Sequence, residues 1–101
     1  MSLLDEQPHP TTAEGDVWAE VIGTAHENLV PLYMERRGQG IDRYGVPLQR
    51  DNGRDHYADA VQELADAVVY LQAANLSGIR AEVERVLLEL LMVRPTDVQR
   101  D

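Results

Sequence analysis

The chain has 101 residues, a formal net charge of -9 and no cysteine, and its length suits one domain with one core. The negative charge disfavours nucleic-acid binding, and the lack of cysteine excludes disulfide frameworks and thiolate metal sites. No apolar run reaches the roughly 18 residues of a membrane span, and residues 1–10 lack the features of a signal peptide, so we expect a cytoplasmic protein with no membrane partner.

The first predicted helix follows a leader, residues 1–10, which contains two prolines and is expected to be flexible. Thr11 and Glu14 have the spacing of a capping box, which satisfies free amide groups where a helix begins. Pro31 lacks an amide hydrogen and predicts a kink or short break, and the helix is expected to end by Gly38. Its buried face is predicted from apolar residues at three- and four-residue spacing, namely Val17, Trp18, Val21, Ile22, Ala25, Leu29, Leu32 and Tyr33.

One long loop is predicted at residues 38–54, because this segment contains four glycines and a proline and its apolar residues have no helical periodicity. Structureless loops of this length are uncommon in compact domains, so we expect it to be ordered and to carry function. Asn52 and Gly53 form a turn signal just before the next helix. The side chains expected to fix the loop are Ile41, Tyr44, Val46 and Leu48.

Two further helices are predicted after the loop. The second spans residues 55–75, and its apolar stripe consists of Tyr57, Val61, Leu64, Val68 and Leu71. The third begins at Ser77-Gly78 and ends at Arg94-Pro95, with a stripe of Ile79, Val83, Val86, Leu87, Leu90 and Leu91.

Leu88 and Met92 lie outside the stripe of the third helix and make it apolar most of the way round. A small bundle does not cover such a helix, so we expect a homodimer. The sequence therefore predicts an all-α fold, a small bundle of about three helices with one long ordered loop, completed by dimerisation. The predicted organisation is a leader at 1–10, a single domain at 11–95 and a tail at 96–101.

The second predicted helix carries an acidic face. At about 100° per residue, Asp59, Glu63, Asp66 and Tyr70 fall within an arc of roughly 60°. Carboxylates at this spacing suit Mg²⁺ or Mn²⁺, which keep several water ligands for substrate phosphates to displace, and this would suit a nucleotide. A solvated polar face explains the same residues, because the arc lies opposite the apolar stripe. The first helix has a similar acidic stripe, formed by Asp16, Glu20 and Glu27.

Arginines in the loop are the candidate phosphate ligands. Arg43, Arg50 and Arg54 precede the acidic helix, and guanidinium groups bind phosphate oxygens in pairs. Salt bridges to neighbouring carboxylates are the alternative. The three histidines are not paired at the spacing of a helical zinc site, and there is no P-loop or dinucleotide-binding turn.

Three segments resemble small phage-type MazG-like proteins: residues 43–49 (RYGVPLQ), 52–55 (NGRD) and 59–71 (DAVQELADAVVYL). Within the last segment, Glu63 and Asp66 are similar to the E-x-x-D motif of the all-α nucleoside triphosphate pyrophosphohydrolases. The resemblance implies that Glu63 and Asp66 bind Mg²⁺. It also implies hydrolysis of a nucleoside triphosphate to the monophosphate and pyrophosphate.

In such a site we expect Asp59 either to complete the metal shell or to accept a proton from the attacking water, and Arg50 or Arg54 to offset charge on the leaving pyrophosphate. The second motif of the family, E-x-x-E on the preceding helix, is not present. Two alternatives therefore remain, a non-catalytic dimeric interaction module and a nucleotide-binding sensor.

Overall fold

The computed structural model describes residues 6–10 and 14–93. In this part of the chain the regular structure is all helical, as predicted, with four α-helices rather than three. They are α1 (Val17–Thr24), α2 (Val30–Tyr44), α3 (His56–Ala73) and α4 (Ser77–Val93), and a short 3-10 helix at Glu27–Leu29 precedes α2. None of these helices is long and apolar enough to cross a membrane.

The chain forms two compact units. The α1–α2 unit is Pro8–Arg54, and the α3–α4 unit combines Met1–Gln7 with Asp55–Asp101. The predicted C-terminal tail and the predicted helix stop at Arg94-Pro95 lie outside the described residues, as does most of the predicted capping box.

The first predicted helix is in fact two helices. Its predicted start at residues 11–14 is wrong, because Glu14 and Gly15 are not helical and Gly15 has φ 101°, which is left-handed. The helix begins after Asp16, whose side chain accepts a hydrogen bond from the Ala19 amide. The break predicted near Pro31 is present, since α1 ends at Thr24 and Pro31 lies in the first turn of α2. Proline is tolerated there because its missing amide hydrogen would have no helical partner.

The predicted end of this helix at Gly38 is also wrong. α2 continues to Tyr44 and ends at Gly45, which has φ 83° and donates its amide hydrogen to the carbonyl oxygen of Ile41 at 2.7 Å. A left-handed glycine is the usual residue at this position, because it accepts the conformation without steric cost. The loop is therefore shorter than predicted and extends only from Gly45 to Asp55.

Asp16 connects the two helices of the α1–α2 unit. Its Oδ1 caps α1 by accepting from the Ala19 amide at 3.0 Å. Its Oδ2 accepts from Nε and Nη2 of Arg37, on α2, at 3.0 and 2.8 Å. The rings of Trp18 and Tyr33 pack nearby, with centroids 6.0 Å apart. The start of α1 is thus fixed to the middle of α2 by one carboxylate.

The Asp16–Arg37 contact predicts a pH-dependent stability. Hydrogen bonds from Arg37 hold the pKa of Asp16 below its ordinary value of 3.8. A lowered folded-state pKa means that the contact stabilises the protein above about pH 4 and that this stabilisation is lost in more acidic solution. We expect Arg37→Met to lower the free energy of unfolding by about 1 kcal/mol near neutral pH and by clearly less near pH 3, measured by urea denaturation.

Arg36→Met is the matched control, because Arg36 bonds to Gln39 on the same helix and not to Asp16. An equal loss of stability from Arg37→Met at both pH values would show that the ion pair is not responsible.

The α3–α4 unit is a helical hairpin. Asp55 caps α3 by accepting from the Ala58 amide at 3.0 Å, and Asn75, with φ 61°, ends the turn before α4. The Tyr57 hydroxyl donates to the carbonyl oxygen of Leu90 on α4 at 2.8 Å. The observed bounds of α3 agree with the predicted helix at 55–75 to within two residues.

The apolar stripe of α4 is only partly covered. Val83, Leu87 and Leu90 are half-buried, whereas Ile79 is 51% exposed and Leu91 37% exposed. The residues predicted to lie outside the stripe are more exposed still, with Leu88 at 60% and Met92 at 84%. α4 therefore presents a large apolar surface that the described residues leave exposed.

Candidate functional site

The acidic face of α3 lies opposite its buried side. Ala58 and Val61 are the buried residues of the helix, at 2% and 9% exposure, and Glu63 and Asp66 are both exposed. Because residues three positions apart lie on the same side of a helix, the two carboxylates are neighbours one turn apart. Tyr70 belongs to the same arc and is 71% exposed. The orientation of this face agrees with the one that the apolar periodicity predicts.

A metal ion on this face would have two open carboxylates as protein ligands. Among the described residues, no group of three or more histidine, aspartate or glutamate side chains is arranged to hold a metal. Mg²⁺ is commonly bound through only one or two carboxylates, with water and substrate phosphates filling its other positions. The pair formed by Glu63 and Asp66 fits that type of site, and it does not fit a closed structural site made of protein ligands alone.

Asp59 differs from the other two acids in being held by a hydrogen bond. It is half-buried, and its Oδ1 accepts from Nε2 of Gln7 at 3.2 Å. Gln7 is not among the residues that the sequence predicts for the site, because a contact across 52 positions has no local pattern. One indirect signal exists. Ala58 occupies the position where a capping box would place Glu or Gln, so the Asp55 amide needs an acceptor from elsewhere.

The three candidate arginines belong to the α1–α2 unit. Arg50 forms an ion pair with Glu20, Arg54 donates from Nη1 to the carbonyl oxygen of Pro8 at 2.8 Å, and the guanidinium of Arg43 lies 5.2 Å from the centre of the Tyr44 ring. The Arg50–Glu20 ion pair is a salt bridge of the kind that the sequence offers as the alternative to phosphate binding. A phosphate would have to compete with Glu20 for this side chain.

The acidic stripe predicted for the first helix is not present as one helix face. Asp16 caps α1 and binds Arg37, and Glu20 binds Arg50. Glu27 lies in the 3-10 helix, so the three acids do not share one helix. The prediction assumed a continuous helix, and the break before Pro31 removes the spacing on which it depended.

The loop that leads into α3 is ordered by buried polar side chains. Gln49 and Asn52 are 6% and 3% exposed. Oδ1 of Asn52 accepts from the Arg54 amide at 3.2 Å, and Gly53 takes the left-handed φ of 84° that the turn requires. The carbonyl oxygen of Leu48 accepts from the Val17 amide at 2.9 Å. The turn signal at Asn52-Gly53 is confirmed.

No protein-family model, curated protein or solved structure matches this chain. The likeness to MazG-like proteins thus rests on residues 43–49, 52–55 and 59–71 alone. The structure places the last of these segments on α3 and the NGRD segment at its cap.

Proposed function

We propose that this chain is a MazG-like helical domain that binds a nucleoside triphosphate with Mg²⁺ on the acidic face of α3 and hydrolyses it to the monophosphate and pyrophosphate. The observation that carries the proposal is that Glu63 and Asp66 lie one turn apart on the same side of a well-capped helix. These are the two residues that the resemblance to the family also selects.

The residues of α3 have separate roles in this reaction. Glu63 and Asp66 hold Mg²⁺ or Mn²⁺, which supplies positive charge beside the triphosphate when bound. Asp59 accepts a proton from the attacking water at one carboxylate oxygen. The water oxygen bonds to the α-phosphorus as the bond to the bridging oxygen breaks, and pyrophosphate leaves. Phosphate binding by Arg43, Arg50 and Arg54 stays a prediction from the sequence, and Arg50 would have to release Glu20 to bind a phosphate.

A homodimer is part of the proposal. The apolar surface of α4 includes Leu88 and Met92. The same hairpin has an open groove of about 620 Å³ that is lined mainly by apolar side chains. The lining residues are Val68, Val69, Gln72, Ala73 and Arg80. Burial of such a surface against a second copy would stabilise the hairpin. A second copy would also add carboxylates to a site for which one chain provides two.

A second candidate is a non-catalytic module that binds another protein through α4. The solvent exposure of Glu63 and Asp66 favours it, because a surface that serves only for solubility has the same appearance. The three candidates, a hydrolase, a nucleotide sensor and an interaction module, make different predictions for nucleotides. The hydrolase binds and turns over at least one of them, the sensor binds one without turnover, and the interaction module binds none.

The test is incubation of the protein with each common ribonucleoside and deoxyribonucleoside triphosphate in the presence of Mg²⁺, with an assay for pyrophosphate. We expect release of pyrophosphate from at least one nucleotide and none when Mg²⁺ is removed by chelation. A nucleotide that raises the melting temperature without being hydrolysed would support the sensor. No hydrolysis and no change in melting temperature would exclude the proposal in favour of the interaction module.

A further inference from the structure

One side of α4, which we call the outer face, carries Ala81, Leu88 and Met92. At about 100° per residue, these three positions fall within an arc of roughly 40°. The arc lies on the opposite side of the helix from Val83 and Leu90, which are half-buried. All three residues of the outer face are exposed, Leu88 at 60% and Met92 at 84%. Apolar side chains grouped in this way indicate a surface that contacts another molecule.

An ion pair borders the outer face along one edge. Arg85 and Glu89 lie on the same side of the face, about 40° and 80° from its centre. Nη1 of Arg85 donates to Oε1 of Glu89 at 2.7 Å, and both side chains are exposed. A molecule that lies along this edge therefore has to present a negative group beside Arg85 and a positive group beside Glu89.

A second copy of α4 in the opposite direction meets both requirements. In an antiparallel pair related by a two-fold axis, side chains from the same edge of the two helices meet. When the axis passes beside Leu88, Arg85 lies opposite the partner's Glu89. Ala81, the smallest side chain of the outer face, then lies opposite the partner's Met92, the longest. The face thus complements itself in both charge and size.

A parallel pair of α4 helices lacks this complementarity, because each residue then faces its own copy. Arg85 would lie opposite the partner's Arg85 and Glu89 opposite the partner's Glu89, and like charges at an interface repel. Met92 would also crowd the partner's Met92, whereas Ala81 and its copy would leave a gap, and close packing tolerates neither. The charges and side-chain sizes of α4 therefore select the antiparallel direction.

We infer that a second copy of this chain docks antiparallel on the outer face of α4, with Leu88 at the two-fold axis. Arg85 and Glu89 of the two copies then form one closed ring of alternating charge beside the apolar contact. The inference rests on the homodimer of the proposed function and adds its contact surface, its direction and its register.

Cysteine cross-linking tests this arrangement, because the chain has no cysteine of its own. Leu88→Cys should form a disulfide-linked dimer under mild oxidation, since packed helices bring residues at the axis within the roughly 4–7 Å between Cα atoms that a disulfide requires. Ala81→Cys and Met92→Cys, each oxidised alone, should remain single chains, because each residue lies roughly 15 Å or more from its own copy. A mixture of these two variants should cross-link. Gel electrophoresis under denaturing, non-reducing conditions measures the product.

Glu82→Cys is the control, because Glu82 is exposed on α4 and lies about 100° from the centre of the outer face. It is expected not to cross-link. Cross-linking of Ala81→Cys and Met92→Cys each alone would show a parallel pair and overturn the inference.

Two further outcomes separate the inference from the proposed function. A parent protein that is dimeric by light scattering, but whose Leu88→Cys variant does not cross-link, would place the contact elsewhere and overturn the inference while leaving the proposed function intact. The expected cross-links without pyrophosphate release from any nucleotide would support the inference and exclude the proposed hydrolysis.

Discussion

Asp66→Asn is expected to lower the rate of Mg²⁺-dependent pyrophosphate release by about 100-fold or more. Asparagine keeps the shape of the side chain and removes the negative charge that a divalent cation requires. Glu63→Gln is expected to have a comparable effect, since it removes the other exposed carboxylate of the pair. Neither change should destabilise the protein without metal, because both side chains are exposed and neutralising one acid relieves repulsion between neighbours.

Glu82→Gln is the matched control, because Glu82 is an exposed glutamate on α4. It makes the same change in net charge as the two variants on α3. We expect it to retain the parental rate. If Asp66→Asn and Glu82→Gln retained the same rate, pyrophosphate release would not depend on the acidic face of α3, and a contaminating enzyme would be the simplest explanation.

Leu88→Glu is expected to convert the protein from a dimer to a monomer at micromolar concentration, measured by light scattering or sedimentation. Leu88 is 60% exposed in the single chain, so a charge there costs the monomer little. In a dimer that buries α4, the same charge loses its solvation without gaining a partner, which costs several kcal/mol. Circular dichroism should show that the variant remains helical.

Glu82→Arg is the control for this variant. Glu82 is exposed on α4 and lies about 120° around the helix from Leu88. This variant should remain a dimer although its charge changes more. A parent protein that is monomeric at micromolar concentration would contradict the dimer directly.

The helices α3 and α4 were predictable because their signals are local. Asp55 is a good capping residue, the apolar periodicity of α3 is continuous, and Asn75 and Ser77 are common at helix ends and starts. α2 was not predictable in the same way. It contains Gly38 and Gly40, each of which costs a helix about 1 kcal/mol relative to alanine. The glycine that ends α2 is Gly45, and its left-handed φ is not visible in the sequence.

In the candidate site, too, the sequence predicts local features but not contacts between distant residues. The exposure of Glu63 and Asp66 follows from the apolar periodicity of their own helix, and the sequence predicts it. The pairing of Arg50 with Glu20 joins residues 30 positions apart, and the bond from Gln7 to Asp59 joins residues 52 apart. Such contacts depend on how the helices pack, so the sequence predicts the residue types and not their partners.

The most direct test of the proposed metal site is paramagnetic broadening of amide signals by Mn²⁺ in the nuclear magnetic resonance spectrum of the labelled protein. Mn²⁺ prefers the same oxygen ligands as Mg²⁺. Substoichiometric Mn²⁺ is expected to broaden the signals of Glu63 and Asp66 first, and excess Mg²⁺ is expected to restore them. Broadening that is equally strong at Glu82 and Glu89 on α4, or none at all, would contradict it, because the acidic face of α3 would then be an ordinary charged surface.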